Sequence, residues 1–460
     1  MLFKLKQLGI GQNLLCWFES YLSNRRQRVV VGGKSSPISY LSAGVPQGSI
    51  LGPLLFLIFI NDMADDISLE CHQYADDTTL LHKFSNPSDA CTYINSQLKI
   101  LSRWADQWRV TFNPSKTHFM LISNKTKRPV LQPIYLNNTI ISEVASHCNL
   151  GLTINNRLTW VDHVNRIIAK ASKKLNVLNR CRTKFPRPVL ENLYLTMVRP
   201  VIEYGDVIYD SMSLSLGQSL EKLQRRAAIM CTGAYKHTET QILLQEVGWP
   251  CLSLGRDQHK LILLYKIKSG DYPNYIRDLL PEPVPNRYPI RDKGHIPNIH
   301  TRLVSSGRSY FPSTVKAWNK LPRTTVTAPT LNIFKKLLIG QQVTSTVYNR
   351  LCTGRAGIWL SRLRMGLSAL CAHRFTYNLV DDASCPHCGQ RETTSHFFFS
   401  CPEYAAARNE FQLSLTQLNL DINLNNKNQL LHTILYGTST NNESLLEHIF
   451  KYLRDSQRFV

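Results

Sequence analysis

Acidic residues are scarce in this sequence, and in two stretches they vanish. Residues 293–380 contain no aspartate or glutamate but thirteen lysines and arginines. Residues 163–190 are also acid-free and hold Arg166, Lys170, Lys173, Lys174, Arg180, Arg182, Lys184 and Arg187. A solvated mixed face intersperses both signs, and these stretches do not. Paired cysteines are scarce as well. Of twelve cysteines, only Cys385 and Cys388 form a C-x2-C pair, which excludes a secreted disulfide framework and suits a reducing compartment. Long apolar runs are missing too: "LLFLIFI", residues 54–60, is too short to span a bilayer and reads as a buried element. Residues 1–18 lack the small-residue cleavage pattern of a signal peptide. Neither membrane insertion nor export is implied, and no internal repeat is visible.

What is present is a globular composition with a strong positive excess. At 460 residues the chain is long enough for about three ordinary domains. Hydrophobic residues make up 43% and charged residues 19%, enough for real cores. Lys and Arg outnumber Asp and Glu 54 to 32, for a net charge of +22 and a pI near 9.6. Such an excess points to a polyanionic partner, most often nucleic acid, with a generally basic soluble surface as the alternative. Phosphate-backbone binding of this kind weakens steeply as salt rises.

Residues 1 to about 125 alternate between helical and strand-like patterns, which suggests an α+β sheet layer covered by helices. "LLCWFESYLSNRRQRVVVGG" reads as helix, basic turn and β-rich segment, and "GVPQGSILGPLLFLIFINDM" as a Gly/Pro-marked loop entering an apolar helix. Ala90, Ile94, Leu98, Leu101, Trp104 and Trp108 mark a further helix. From about residue 155 the signal is mostly helical. Pro281, Pro283, Pro285, Pro289, Pro297 and Pro312 argue for an irregular connector. A helix is expected around residues 359–375, then the cysteine cluster, a polar Asn-rich loop and a helical tail.

Two stretches carry chemistry. In "CHQYADDTTLLHKF" the pattern is strand, tight turn, strand, with Asp76 and Asp77 at the turn. Only a turn lets two adjacent side chains approach one centre. Mg²⁺ favours a few carboxylates plus substrate phosphates, and two such ions about 3.5–4 Å apart serve phosphoryl transfer. Taken alone, an Asp-Asp pair is usually a polar turn. The second stretch is "CPHCGQRETTSHFFFSCPEY". Cys385, Cys388, His396 and Cys401 give C-x2-C-x7-H-x4-C, the ligand set of a structural Zn²⁺ site, with His387 outside it and Gly389 permitting the tight turn.

The order of segments adds a resemblance. "WFESYLSNRRQRVVV", "GVPQGSILGPLLFLIFINDM", "QYADDTTLL", "FNPSKTHFMLIS" and "NLGLTINNRLTWVDHVNRIIAKASKKL", in this order, resemble the reverse transcriptases of non-LTR retrotransposons of the Jockey and chicken-repeat type. The resemblance implies an α+β right-hand polymerase: a palm and fingers in residues 1–140, lacking their N-terminal part, a helical thumb in 141–240 and a connector in 241–345. A basic helix with a zinc knuckle would fill 346–404 and a helical tail 405–460. It implies RNA-directed DNA polymerase activity with an RNA template, a DNA primer or target and deoxynucleoside triphosphates (dNTPs). Asp76 would be the principal Mg²⁺ ligand and Asp77 the secondary one, in a box with Tyr74 and Ala75. Val45, Pro46, Gln47, Gly48 and Ser49 would lie against the templating pair and incoming nucleotide. Lys116, followed by Thr117, would neutralise or protonate the leaving pyrophosphate. Arg25, Arg26 and Arg28 would touch template or primer phosphate, although each is equally a solvated surface residue. Asn149, Leu150 and Gly151 resemble the segment closing the palm, more often His-Leu-Gly in relatives. "YFPSTVKAWNKLP" also looks like the family's, with no chemistry attached. Arg362 and Arg364, on the helix bearing Leu360, Leu363, Leu367 and Leu370, are expected to hold RNA or target DNA.

The resemblance also implies a third carboxylate, from a strand preceding a helix related to "LFKLKQLGIGQNLLCWF". Asp62, Asp65 and Asp66 do not match that position. The expectation is therefore a C-terminal part of a larger protein, short of the first catalytic aspartate and inactive alone. The alternative is a non-catalytic RNA- or DNA-binding protein that keeps thumb and knuckle. Residence is expected inside the cell, in nucleus and cytoplasm. Oligomeric state is not readable.

Overall fold

A computed structural model describes residues 1–41, 43–123, 125–281, 295–340, 348, 351–352, 354–418, 426–438 and 442–459. Pro283, Pro285 and Pro289 of the expected connector, and most of the Asn-rich segment, lie outside the described residues. The chain divides into two compact units, Met1–His147 and Cys148–Val460.

The first unit mixes helix and strand. Its helices are α1 (Leu2–Gln7), α2 (Gln12–Leu22), α3 (Gly52–Ile60) and α4 (Pro87–Trp108). Helix α4 starts where the Asn86 side chain accepts a hydrogen bond from the Ser88 N–H and Pro87 opens the first turn. It buries Ala90, Leu98, Leu101 and Ala105 along one face. Among the described residues the expected sheet layer is not formed. The strands β1 (Arg26–Gln27), β2 (Val30–Val31), β3 (Lys34–Ser35), β4 (Ser39–Tyr40), β5 (Glu70–Tyr74) and β6 (Asp77–Leu81) pair only two by two. The first four expose every residue, so no buried face recruits a further strand. Helix α3 differs from expectation as well. Leu55 and Ile60 are buried, but Leu54 and Leu57 are about half exposed, so the apolar run is only half interior.

One buried cation pins α1 in this unit. Lys4 Nζ donates to Phe59 O and to Asp62 Oδ1, both at 2.5 Å, and sits 3.8 Å from the Trp108 ring centroid. The Trp104 indole N–H donates to the same Asp62 oxygen at 3.1 Å. The aromatic faces and one carboxylate thus replace the water an ammonium loses on burial. Asp62 is occupied structurally.

The second unit is helical after a short strand, Leu152–Asn155. Its core is built by α5 (Val161–Arg180), α6 (Arg187–Leu193), α7 (Arg199–Glu203), α8 (Asp206–Tyr209), α9 (Leu214–Thr232), α10 (Thr240–Val247) and α11 (Leu252–Lys268). Helix α5 turns Val164, Ile167, Ala171, Leu175 and Leu178 inward and leaves Arg166, Lys170, Lys173 and Arg180 exposed. After α12 (Asn274–Arg277) comes the short exposed α13 (Val304–Gly307), and a satellite core joins α11 to α14 (Tyr310–Trp318), α15 (Arg323–Val326) and α16 (Leu331–Ile339). The C-terminal part packs around Phe397, Phe398, Phe411 and Tyr452.

Three arginines read as phosphate contacts serve the interior instead. Arg187 donates to Glu191 Oε1 at 2.6 Å, Glu246 Oε1 at 2.7 Å and Ser361 Oγ at 3.0 Å. Arg364 donates to both Glu246 oxygens, at 2.6 and 3.1 Å, and to Leu435 O at 3.1 Å. The side chains of Arg187, Glu246 and Arg364 are each 5% exposed or less. Arg362 donates through Nε and Nη2 to Gly233 O, at 3.1 and 2.7 Å, and stacks over Tyr235. Gly233 ends α9 in the left-handed conformation against Ile358, where a side chain would clash. The expected helix over 359–375 is also two helices, Gly354–Arg364 and Cys371–Thr376, parted at Gly366 with φ +67°.

Burial alone would raise the Glu246 carboxyl, but Arg364 and Arg187 outweigh it and hold it below the usual carboxylate range. Its contribution is complete above the unfolded-state value and is lost as pH falls through the folded-state value. Glu246→Gln should cost about 3–5 kcal/mol at neutral pH, because Arg364 stays buried without a carboxylate and Arg187 keeps only Glu191. Urea unfolding from pH 7 to pH 3 checks this: the gap to wild type should narrow as pH drops below 4.5, the reference value of the carboxyl.

Candidate functional site

The carboxylates Asp76 and Asp77 stand at the tip of the β5–β6 hairpin. Tyr74 pairs with Asp77, so Ala75 and Asp76 form a two-residue turn. Ala75 takes φ +51°, a left-handed conformation that costs a residue with a Cβ roughly 1–2 kcal/mol. Both aspartates and Tyr74 are exposed, and neither carboxylate has a hydrogen bond or ion pair among the described residues. Hard oxygen donors held open at a turn suit a hard divalent cation that retains water and phosphate ligands. Among the described residues, no third His, Cys, Asp or Glu is grouped with them.

Before α3, the stretch 45–52 ties itself into a rigid loop. Ser49 donates through N–H and Oγ to Pro46 O, at 3.3 and 2.7 Å, and its Oγ accepts from Gly52 N–H at 3.0 Å. A Cβ on Gly52 would come within 2.7 Å of Pro46 O, so the loop closes only on glycine. Gly48 has φ +78° with open space around it, which leaves backbone at Gln47 and Gly48 approachable. Lys116 lies exposed in a turn where its N–H donates to Asn113 O at 3.2 Å. No bond links it to Asp76 or Asp77. Arg25 lies over Tyr21 at 5.6 Å, and Arg26 opens β1; both are exposed, as is Arg28. At Leu150–Gly151 both residues have positive φ, and Tyr204 Oη donates to Leu150 O at 2.7 Å.

The second site lies in Cys148–Val460. Cys385 and Cys388 occupy a turn whose Cys385 N–H donates to Gln390 O and whose Gly389 N–H donates to Cys385 O. His396 rides on the helix Thr394–Phe399, opened by Thr393, whose hydroxyl accepts from the His396 N–H at 3.1 Å. Cys401 follows that helix and donates its N–H to His396 O. Cys385 Sγ and Cys401 Sγ are 3.7 Å apart, Cys388 Sγ is 3.3 Å from His396 Nε2, and all four ligand atoms lie within 4.8 Å of one another. Tetrahedral donors at about 2.0–2.3 Å from a zinc ion stand about 3.3–3.8 Å apart, so the set fits. Burial pushes the Cys401 thiol up to about 11, with Cys385 beside it adding to the rise, and burial lowers His396. His387 is 39% exposed beside Glu403 and stands apart from the four.

Residues 2–160 match the family model described as reverse transcriptase (RNA-dependent DNA polymerase). This segment belongs to the reverse transcriptase family. The chain is 27% identical over 285 residues to the RNA-directed DNA polymerase from mobile element jockey of Drosophila melanogaster, covering 60% of the chain and 31% of that relative. It is 32% identical over 221 residues to the probable RNA-directed DNA polymerase from transposon BS of the same organism, covering 45% and 24%. With the corresponding protein from transposon X-element it shares 29% over 240 residues, 49% and 26% of the two chains. The matched part thus spans about a quarter to a third of these relatives. The jockey-type likeness extends over more residues than the reverse transcriptase segment alone.

Sequence reasoning missed the support under the cysteine–histidine cluster. Arg458 donates to both Glu392 oxygens, at 2.7 and 2.8 Å, and the Cys371 N–H donates to the same carboxylate at 2.6 Å. Burial would raise the Glu392 carboxyl, but Arg458 and the Cys371 amide hold it low. The partners are 66 residues apart, so no local pattern announces them. Elemental analysis of the chain purified without chelator should find about one zinc per molecule, and Cys401→Ser less than roughly a third of that. Chelation should lower the melting temperature of wild type and leave the variant unmoved.

Proposed function

We propose that this chain is the polymerase and C-terminal portion of an RNA-directed DNA polymerase of a Jockey-type non-LTR retrotransposon. The observation that carries the reading is the tight Tyr74–Asp77 hairpin, offering two unbonded, exposed carboxylates within a segment of the reverse transcriptase family. In this reading residues 1–140 are fingers and palm, 141–240 thumb, 241–345 connector, 346–404 the knuckle region and 405–460 a helical tail. The substrates are an RNA template, a DNA primer or target and dNTPs. The expected place of work is the nucleus, after synthesis in the cytoplasm. No described helix is long and apolar enough to cross a membrane.

Asp76 and Asp77 are the residues that would hold Mg²⁺. The bound ions supply charge stabilisation for attack of a primer hydroxyl on a nucleotide phosphate. The chain's own part is positional. The β5–β6 ladder fixes the two carboxylates at a turn, and the loop around Gln47 and Gly48 offers backbone that approaches a base pair closely. Lys116 would meet the negative charge of departing pyrophosphate and can donate a proton to it. The exposed bases Arg166, Lys170, Lys173 and Arg180 on α5 support duplex binding by the thumb. Cys385, Cys388, His396 and Cys401 would hold a structural zinc.

Primer extension on an RNA template with Mg²⁺ tests the reading. Asp76→Asn should reduce synthesis by at least about 10²-fold while leaving hybrid binding intact. Lys116→Ala should lower the maximal rate by about 10²-fold, with a smaller change in nucleotide affinity. Because no third carboxylate is grouped with Asp76 and Asp77 among the described residues, a wild-type chain that binds the hybrid but makes no product would favour a non-catalytic nucleic-acid-binding role for this chain without removing it from the family.

A further inference from the structure

The segment "YFPSTVKAWNKLP" has no role in the chemistry above, yet it forms α14 and one wall of a cavity. This cavity of about 370 Å³ is lined by Asp210, Met212, Leu214, Gly307, Arg308, Ser313 and Lys316. Its charges are unequal. Asp210 is already engaged, accepting from Arg256 Nε at 2.9 Å and Lys260 Nζ at 2.5 Å. Lys260 also pairs with Asp257 at 3.0 Å. The charged groups of the lining are thus Arg308, Lys316 and an Asp210 that Arg256 and Lys260 already neutralise, which leaves the two cations in excess.

The surplus is placed on the cavity wall. Arg308 and Lys316 are exposed, and neither side chain has a hydrogen bond or ion pair among the described residues. The buried Arg256, which donates to Asp210, keeps its Nη1 without a hydrogen-bond partner among the described residues. The lining also includes buried Met212 and largely exposed Leu214. Cations with an apolar flank suit a phosphodiester with its sugar and base better than a bare ion. The wall formed by residues 307–316 contributes no acid, since residues 293–380 hold none.

We infer that this cavity is a subsite for the sugar–phosphate backbone of a nucleic acid, with Arg308 and Lys316 contacting phosphate and Ser313 able to donate to it. The inference rests on the nucleic-acid-binding half of the reading above and not on polymerisation.

The test is binding of a fluorescein-labelled 20-base-pair RNA–DNA hybrid to the full chain, followed by anisotropy from 50 to 300 mM KCl. Each phosphate contact adds about 0.7–0.9 to the slope of log affinity against log salt. Arg308→Gln with Lys316→Gln should therefore flatten the slope by about 1.5 and weaken binding about tenfold at physiological salt. A control with the same loss of charge, Lys336→Gln with Lys427→Gln, removes two exposed bases outside the cavity lining and should change the slope by less than about 0.5. Equal melting temperatures would exclude misfolding, since none of these side chains has a partner among the described residues. Indistinguishable slopes for the two double variants would overturn the subsite. So would a wild-type chain that does not bind the hybrid, or a cavity variant that loses inorganic pyrophosphate binding while keeping the hybrid. Failed primer extension with the slope difference intact would count against catalysis by this chain and leave the subsite standing.

Discussion

The buried carboxylate of Glu246, gripped from two sides by Arg187 and Arg364, is the constraint on which the second unit depends. Glu246 itself sits on α10, its partners come from α6 and from the helix Gly354–Arg364, and Arg364 reaches on to the carbonyl of Leu435. Two guanidinium groups, Glu191 and Glu246 sum to no net charge, so the interior tolerates all four. Buried ion pairs of this kind add little over a well-packed apolar core, but they are costly to break halfway. They therefore specify one arrangement more than they deepen it. The helical core and the cysteine–histidine region are held in one register by this cluster, which supplements the apolar contacts of Met365 and Leu367 with the helical core.

The local signals in the sequence translate directly. The strand, turn and strand of "CHQYADDTTLL" are there, with Asp76 in the turn and Asp77 opening β6. The C-x2-C-x7-H-x4-C spacing brings four donors together, because a glycine turn and a capped two-turn helix convert sequence distance into convergence. The apolar spacing of α4 and α5 likewise marks the faces they bury. These features depend on neighbours a few residues away.

What stayed illegible depends on distant partners. Arg187, Arg362 and Arg364 look like the other bases of their acid-free runs, and only the fold shows them turned to Glu246 and to the end of α9. Conversely, Arg308 and Lys316 look no different from those three and are left without partners. Net charge counts arginines without saying whether each is neutralised inside. The sheet layer failed for a related reason. Alternating strand patterns identify strands but not their neighbours, and two-residue ladders exposed on both faces have no packing to gain from a third.

Arg362 and Arg364 are two residues apart, hence about 200° apart around their helix. One holds the carbonyl of Gly233, which caps α9, and the other the carboxylate on α10. The helix Gly354–Arg364 is therefore keyed in rotation as well as in position. A conservative lysine at either place would keep the charge and lose the two-pronged grip. Inserting or deleting one residue before Arg362 would swing both keys by about 100°. Drift in length, harmless in most surface helices, is closed to this one.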